Sequence, residues 1–68
     1  MRETMTFQGH DDLFRPVYED SCGRVWFDTD PRPHVPASLY SVVELPGGTK
    51  KEVPFFGKAK FVPKRVTW

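Results

Sequence analysis

Apolar and polar residues alternate in short bursts along this chain, and proline or glycine closes almost every burst. Prolines stand at 16, 31, 33, 36, 46, 54 and 63, glycines at 9, 23, 47, 48 and 57. After Pro16 the longest stretch free of both covers nine residues, 37 to 45. An average helix needs about 11 residues, and a proline in its interior costs roughly 3 kcal/mol. The residues between the breakers are largely β-branched or aromatic, a strand composition. The pattern predicts an all-β protein with no long helix.

Two hairpins follow from the spacing. Phe14–Tyr18 and Arg24–Asp28 flank Glu19-Asp20-Ser21-Cys22-Gly23, a loop rich in turn formers. In the second of these strands Val25 and Phe27 share one face, and Arg24, Trp26 and Asp28 share the other. Trp26, flanked by charges, is expected to sit half exposed. Leu39–Leu45 and Lys50–Phe56 flank Pro46-Gly47-Gly48. A two-residue turn there would put Leu39, Val43 and Leu45 on the face opposite Val53 and Phe55. A three-residue loop with Gly48 left-handed pairs Val43 with Lys51, Ser41 with Val53 and Leu39 with Phe55, and gathers the apolar side chains on one face. A slip of one residue flips every side chain, so the three-residue loop is preferred.

The last strand begins after Gly57, where Lys58 and Lys60 alternate with Ala59 and Phe61, and Pro63 breaks the alternation. Residues 29–37, with three prolines, read as a stiff crossover. Residues 1–12 are polar and are expected to form a flexible N-terminal segment, followed by a single small β domain over 13–68. The expected architecture is five short strands in a small antiparallel barrel or rolled sheet, and an SH3-like barrel fits the size best.

Composition sharpens this picture. The chain has 68 residues, of which 38% are hydrophobic and 15% aromatic. So short a domain buries only about 60% of the surface its unfolded chain exposes, and large rings fill a thin core efficiently. No internal disulfide can form, because Cys22 is the sole cysteine. A lone cysteine, the lack of a signal-like start and the lack of a long apolar run point to a soluble cytoplasmic protein. The net charge of +1 conceals an asymmetry: residues 1–48 carry −4 and residues 49–68 carry +5. The two halves are expected to pair with each other in the fold or in a dimer.

Catalytic and metal chemistry find little support. His10, Asp11, Asp12, Cys22 and His34 are permitted metal ligands, but their spacing matches no recurring site. Cys22 stands in a turn beside an acid, Asp20, rather than beside the adjacent base that a nucleophile needs. No nucleophile elbow, phosphate loop or dinucleotide fingerprint occurs. No catalytic residue, metal site or cofactor is expected. Pro33-His34-Val35-Pro36 forms a PxxP core, but Arg32 is adjacent to it rather than upstream at the spacing a docking motif uses.

The C-terminal segment mixes cations with rings: Phe55, Phe56, Lys58, Lys60, Phe61, Lys64, Arg65 and Trp68. Cations that neutralise phosphates beside rings that stack on bases would suit nucleic acid. Gly23–Asp28 resembles the first strand of cold-shock domains, and Phe56–Val62 resembles an RNA-recognition strand. The first lacks its companion aromatic-rich strand and the second the helices of its fold, so neither family is assigned.

The leading expectation is a small non-catalytic accessory protein that binds another protein through aromatic residues and sheet edges. Small free-standing proteins of this sort are frequent among phage and plasmid genes. The expected anchors are Trp26, Tyr40, Phe56 and Trp68, since aromatic residues dominate interface energies. Homodimerisation would enlarge the thin core. The alternative is nucleic-acid binding through Lys58, Lys60, Lys64 and Arg65.

Overall fold

The computed structural model describes residues 2–68. Six strands form one sheet: β1 (Arg2–His10), β2 (Pro16–Glu19), β3 (Val25–Asp28), β4 (Leu39–Glu44), β5 (Lys50–Pro54) and β6 (Lys58–Val62). Their spatial order is β5-β4-β3-β2-β1-β6. No helix occurs among the described residues, in line with the proline and glycine spacing. All neighbouring strands pair antiparallel except β1 and β6, which run parallel with Met5 opposite Phe61.

Five strands were expected and six are present. The additional one is β1, built from residues expected to be loose. In this strand Glu3, Met5 and Phe7 alternate with Thr4, Thr6 and Gln8, and Met5 is fully buried. Two apolar residues make a weak stripe by themselves. The strand is held because it lies between β2 and β6 and pairs with both.

The sheet is curled but its ladder does not close. The rim strands β5 and β6 are joined only by residues 55–57. Six flat strands would set the rims roughly 24 Å apart at about 4.8 Å per strand. Four residue steps of extended chain reach only about 14 Å. The sheet must therefore bend toward itself at that end.

Both expected hairpins form, but the first has shifted bounds: β2 starts at Pro16 rather than Phe14, and Glu19, expected in the loop, pairs with Val25. In the first, Tyr18 pairs with Trp26 and Val17 with Phe27. In the second, Val43 pairs with Lys51 and Ser41 with Val53. Leu45 N–H donates to Thr49 O at 2.7 Å and Phe55 N–H to Leu39 O at 2.9 Å. This is the three-residue register, and Gly48 has the left-handed φ of 83° that it requires. In β6, Ala59 and Phe61 face inward and Lys58 and Lys60 outward.

The inner face gathers Met5, Tyr18, Trp26 and Leu39, with Phe7, Phe55, Ala59 and Phe61 packed against them. Tyr18 meets Phe61 at 4.8 Å between ring centroids, and Trp26 meets Phe55 edge-on at 5.2 Å. The opposite face carries Val17, Val25, Phe27, Tyr40 and Val42, and the Arg15 guanidinium lies 4.3 Å over the Phe27 ring.

Two irregular segments roof the inner face: the proline-rich loop 29–38 and the tail 63–68. Their junction is Asp28, which is completely buried. Its Oδ1 accepts from the N–H groups of Asp30 and Ser38, both at 3.0 Å, and so closes the neck of the loop. Its Oδ2 faces the Arg65 guanidinium at 3.5 Å, an ion pair without a hydrogen bond. Arg65 also donates to the carbonyls of Asp30, Arg32 and Val35 along the inside of the loop. Next to it, the Tyr18 hydroxyl accepts from Val66 N–H at 2.9 Å, and Trp68 N–H donates to Pro31 O at 3.0 Å.

Removal of the guanidinium by Arg65→Met would leave a buried carboxylate uncompensated and three carbonyls without their donor. The expected loss is roughly 3 kcal/mol, the low end for breaking a buried pair, to be read from chemical denaturation. Asp28→Asn in the Arg65→Met background should recover part of that loss, since the amide oxygen still serves Asp30 and Ser38. A loss below about 1 kcal/mol for Arg65→Met would show that the tail is held by packing alone.

Candidate protein-binding surface

The turn from β1 to β2 is organised by one carboxylate. Asp11 Oδ1 accepts from the N–H groups of Leu13 and Arg15, each at 2.9 Å. Its Oδ2 accepts from Arg15 Nε at 2.6 Å. Asp11 N–H donates to Arg15 O, and Phe14 N–H donates to Asp11 O, both at 3.0 Å. Together these bonds lock a tight loop whose two central apolar residues point away from the body.

Those residues are Leu13, 67% exposed, and Phe14, 75% exposed. Phe14 has a φ of 59°, the only left-handed backbone at a non-glycine residue among those described. A bulky residue in that region is strained by roughly 1–2 kcal/mol. The ring gains almost no burial in return. The third member of the patch is Trp68, 69% exposed, whose indole N–H donates to Phe14 O at 3.3 Å. Three large apolar side chains thus share one end of the sheet, held by a polar frame beneath them.

Burial of Asp11 pushes its carboxyl up, but hydrogen bonds from the Arg15 backbone and side chain and from Leu13 N–H outweigh this. The net result lies below the usual carboxylate value of 3.8. Asp20 is likewise lowered, first by the Trp26 indole N–H donated at 3.0 Å, against some desolvation, and then by the N–H groups of Arg24 and Cys22.

The anchors expected from the sequence fare unequally. Trp26 is a core residue, 8% exposed, and its polar handle is satisfied by Asp20, so it presents no docking ring. The half-exposed expectation is corrected because the face shared by Trp26 and Asp28 is the inner one. Tyr40 is half-buried on the outer face, between Phe27 and Pro54. Phe56 is 85% exposed in the connection from β5 to β6. Trp68 is exposed and joins the Leu13–Phe14 patch, whereas Phe56 belongs to a separate region beside Arg2 and Lys58.

Arg65 belongs to the alternative, nucleic-acid reading, and its guanidinium is directed into the loop 29–38 and toward Asp28. Phe55 and Phe61 are drawn into the core. Lys58, Lys60 and Lys64 remain exposed, with Arg2 opposite Lys58 and Thr4 opposite Lys60 across the parallel pair.

Sequence reasoning missed Leu13 and Phe14 and treated Phe14 as the start of a strand. The signal present was an Asp four residues before an Arg, with Leu-Phe between them and Pro16 next. Asx turns of this kind cap tight loops. Cys22 is exposed in the β2–β3 turn. Among the described residues no group of three or more His, Cys, Asp or Glu side chains could hold a metal ion, and no helix is long and apolar enough to cross a membrane. Comparison with protein-family models, with curated proteins and with solved structures finds no match for this chain.

Both lowered carboxylates carry the same linkage sign. Their stabilisation is fully present above the ordinary value of 3.8 and is lost as pH falls through the lower folded value. In an acid titration followed by NMR, the Leu13 and Arg15 amide signals should hold through pH 3.8 and shift only below it. Asp11→Asn should abolish that late transition and cost about 1–2 kcal/mol.

Proposed function

We propose that this chain is a small non-catalytic accessory protein that docks onto another protein through Leu13, Phe14 and Trp68. The observation that carries this reading is the left-handed Phe14, whose strained backbone holds an aromatic ring in water. Backbone strain is retained where the surrounding structure enforces it, and such strain clusters at binding sites. A rigid, pre-positioned aromatic anchor loses little entropy on association, and exposed rings of this type supply most of the energy at protein interfaces. Phe56 and the half-buried Tyr40 would extend the contact to other parts of the surface.

We read the architecture as a small SH3-like barrel left open at one seam. The short connection between the rim strands supports this, because it brings the two edges toward each other. The rims themselves carry Lys50, Lys51 and Pro54 on β5 and Lys58 and Lys60 on β6. Charges and proline of this kind discourage unwanted strand addition, so an end-on aromatic contact is favoured over an edge contact. The competing reading is nucleic-acid binding through Lys58, Lys60 and Lys64 with Arg2 beside them. It has lost Arg65 and two of its rings to the interior.

The decisive variant is Phe14→Gly. Glycine adopts a φ of 59° without strain, so stability should hold or rise by up to about 1 kcal/mol, while partner capture is lost. Trp68→Ala should weaken capture at least about tenfold. Capture should also survive a rise in salt that would release a phosphate-bound complex. Recovery of the same partner by wild type and Phe14→Gly would overturn the proposed anchor. Binding of oligonucleotides that vanishes at higher salt would favour the competing reading.

A further inference from the structure

Strands β2, β3 and β4 carry apolar residues on both of their faces. Val17 and Tyr18 adjoin on β2, Val25, Trp26 and Phe27 on β3, and Leu39, Tyr40, Val42 and Val43 stand on β4. A sheet with one face in water alternates apolar with polar positions, and near-continuous apolar runs belong to strands covered on both sides. Loop and tail cover the inner face. On the outer face Val25 and Val42 are 48% and 49% exposed, and Val17, Phe27 and Tyr40 are half-buried. The register sets Val17, Phe27, Tyr40 and Pro54 in one row across four strands, with the Arg15 guanidinium over the Phe27 ring.

The two flanks of that apolar middle differ in charge. On the β4–β5 flank the outer face presents Glu44 opposite Lys50 and Val42 opposite Glu52. On the β1–β6 flank it presents Arg2 opposite Lys58 and Thr4 opposite Lys60, without an acid. Among the described residues none of these six charged side chains enters an ion pair within the chain. Glu19 closes β2 at the β2–β3 turn, on the margin of the apolar middle. The chain also exposes more surface than its mass calls for. Its 4975 Å² exceeds by roughly 550 Å² the value of about 4,400 Å² expected of a folded monomer of 7.9 kDa. A stable interface needs roughly 500 Å² from each side at its smallest.

We infer that two copies of this chain pack outer face on outer face, related by a two-fold axis that runs along the strands between β2 and β3. The axis sets the net acidic β4–β5 flank of each copy on the basic β1–β6 flank of the other, and brings Val17, Val25 and Phe27 of both copies together in the middle. The occupant is a second copy because one molecule carries both members of the complementary pair of flanks. Such a contact is the same on both sides, so it closes at two chains. Long Lys, Arg and Glu side chains span the flanks, where the two curled sheets diverge. The dimer takes Tyr40 out of the partner contact and leaves Trp68, in the tail on the roofed side, free. It can therefore fail separately from the proposed aromatic anchor.

Sedimentation equilibrium of the intact protein tests it. At about 100 μM the wild type should have the mass of two chains. Val42→Lys puts a charge into the apolar middle at a position that is half exposed in the single chain, so the fold should survive and the dimer should weaken at least about tenfold. Lys58→Glu combined with Lys60→Glu makes both flanks acidic and should weaken it as much. Phe14→Gly should leave the dimer unchanged. In a sample mixed from labelled and unlabelled chains, NMR should show contacts between copies at the methyl groups of Val17 and Val25. A single-chain mass at that concentration, or larger open assemblies, would overturn the inference. So would a dimer that both charge variants leave intact, or one that Trp68→Ala dissolves. If Val42→Lys does not fold, the contacts between wild-type copies still decide.

Discussion

A single buried carboxylate and the guanidinium that faces it determine whether this sheet has an inside. Asp28 gathers both ends of the proline-rich loop, and Arg65 enters that loop from the tail and bonds its carbonyls. A thin core cannot tolerate an open face, because each ring left in water forfeits the burial that holds so small a domain together. The loop sets the fully buried Pro31 and the partly buried Ala37 against the sheet. Polar groups complete the fastening of loop and tail, in an environment where each bond is strong and each orphaned group costly. This pair is also the only ion pair among the described residues that joins the acidic and basic parts of the sequence. The exposed lysines of the basic part are not needed for it.

The rings divide into two populations. Tyr18 and Trp26 are buried with their polar atoms satisfied, Tyr18 by the Val66 backbone and Trp26 by Asp20. Phe7, Phe55 and Phe61 complete that layer. Phe14, Phe56 and Trp68 remain in solvent despite the small size of the core. A sequence selected only for stability would have drawn them in or replaced them. Phe14 is the clearest case, since it is exposed and strained together. Its loop is not slack: five hydrogen bonds around Asp11 hold it. Rigidity beneath and apolar surface above is the combination expected of a docking element.

Much of the fold was legible in the sequence, and the gaps have physical causes. The β4–β5 register was readable because only one alignment collects Leu39, Ser41 and Val43 with Val53 and Phe55 on a shared face. The alternation of Lys58, Ala59, Lys60 and Phe61 was readable for the same reason. β1 was not, because its partner β6 lies at the far end of the chain and its own stripe holds just Met5 and Phe7. The inner side of β3 was misjudged because charge near Trp26 suggested water. The acid on that face, Asp28, is buried precisely where backbone donors and Arg65 meet it, and no local pattern announces such a partner. Arg65 looked like one cation in a basic run, and only the path of the tail separates it from Lys64. The Leu13–Phe14 loop was missed because a left-handed aromatic contradicts every local preference.

The order in which strands are joined has a consequence for synthesis. The middle of the sheet is made of early residues, while both rims come from one late stretch, β5 through β6. During translation β1 leaves the ribosome long before the parallel neighbour that completes it, and its open flank must wait. The segment between Asp28 and Arg65, which holds β4, β5 and β6, has to emerge before the two can meet and shut the roof. Closure of the roof is therefore a late step in the order in which these strands are made.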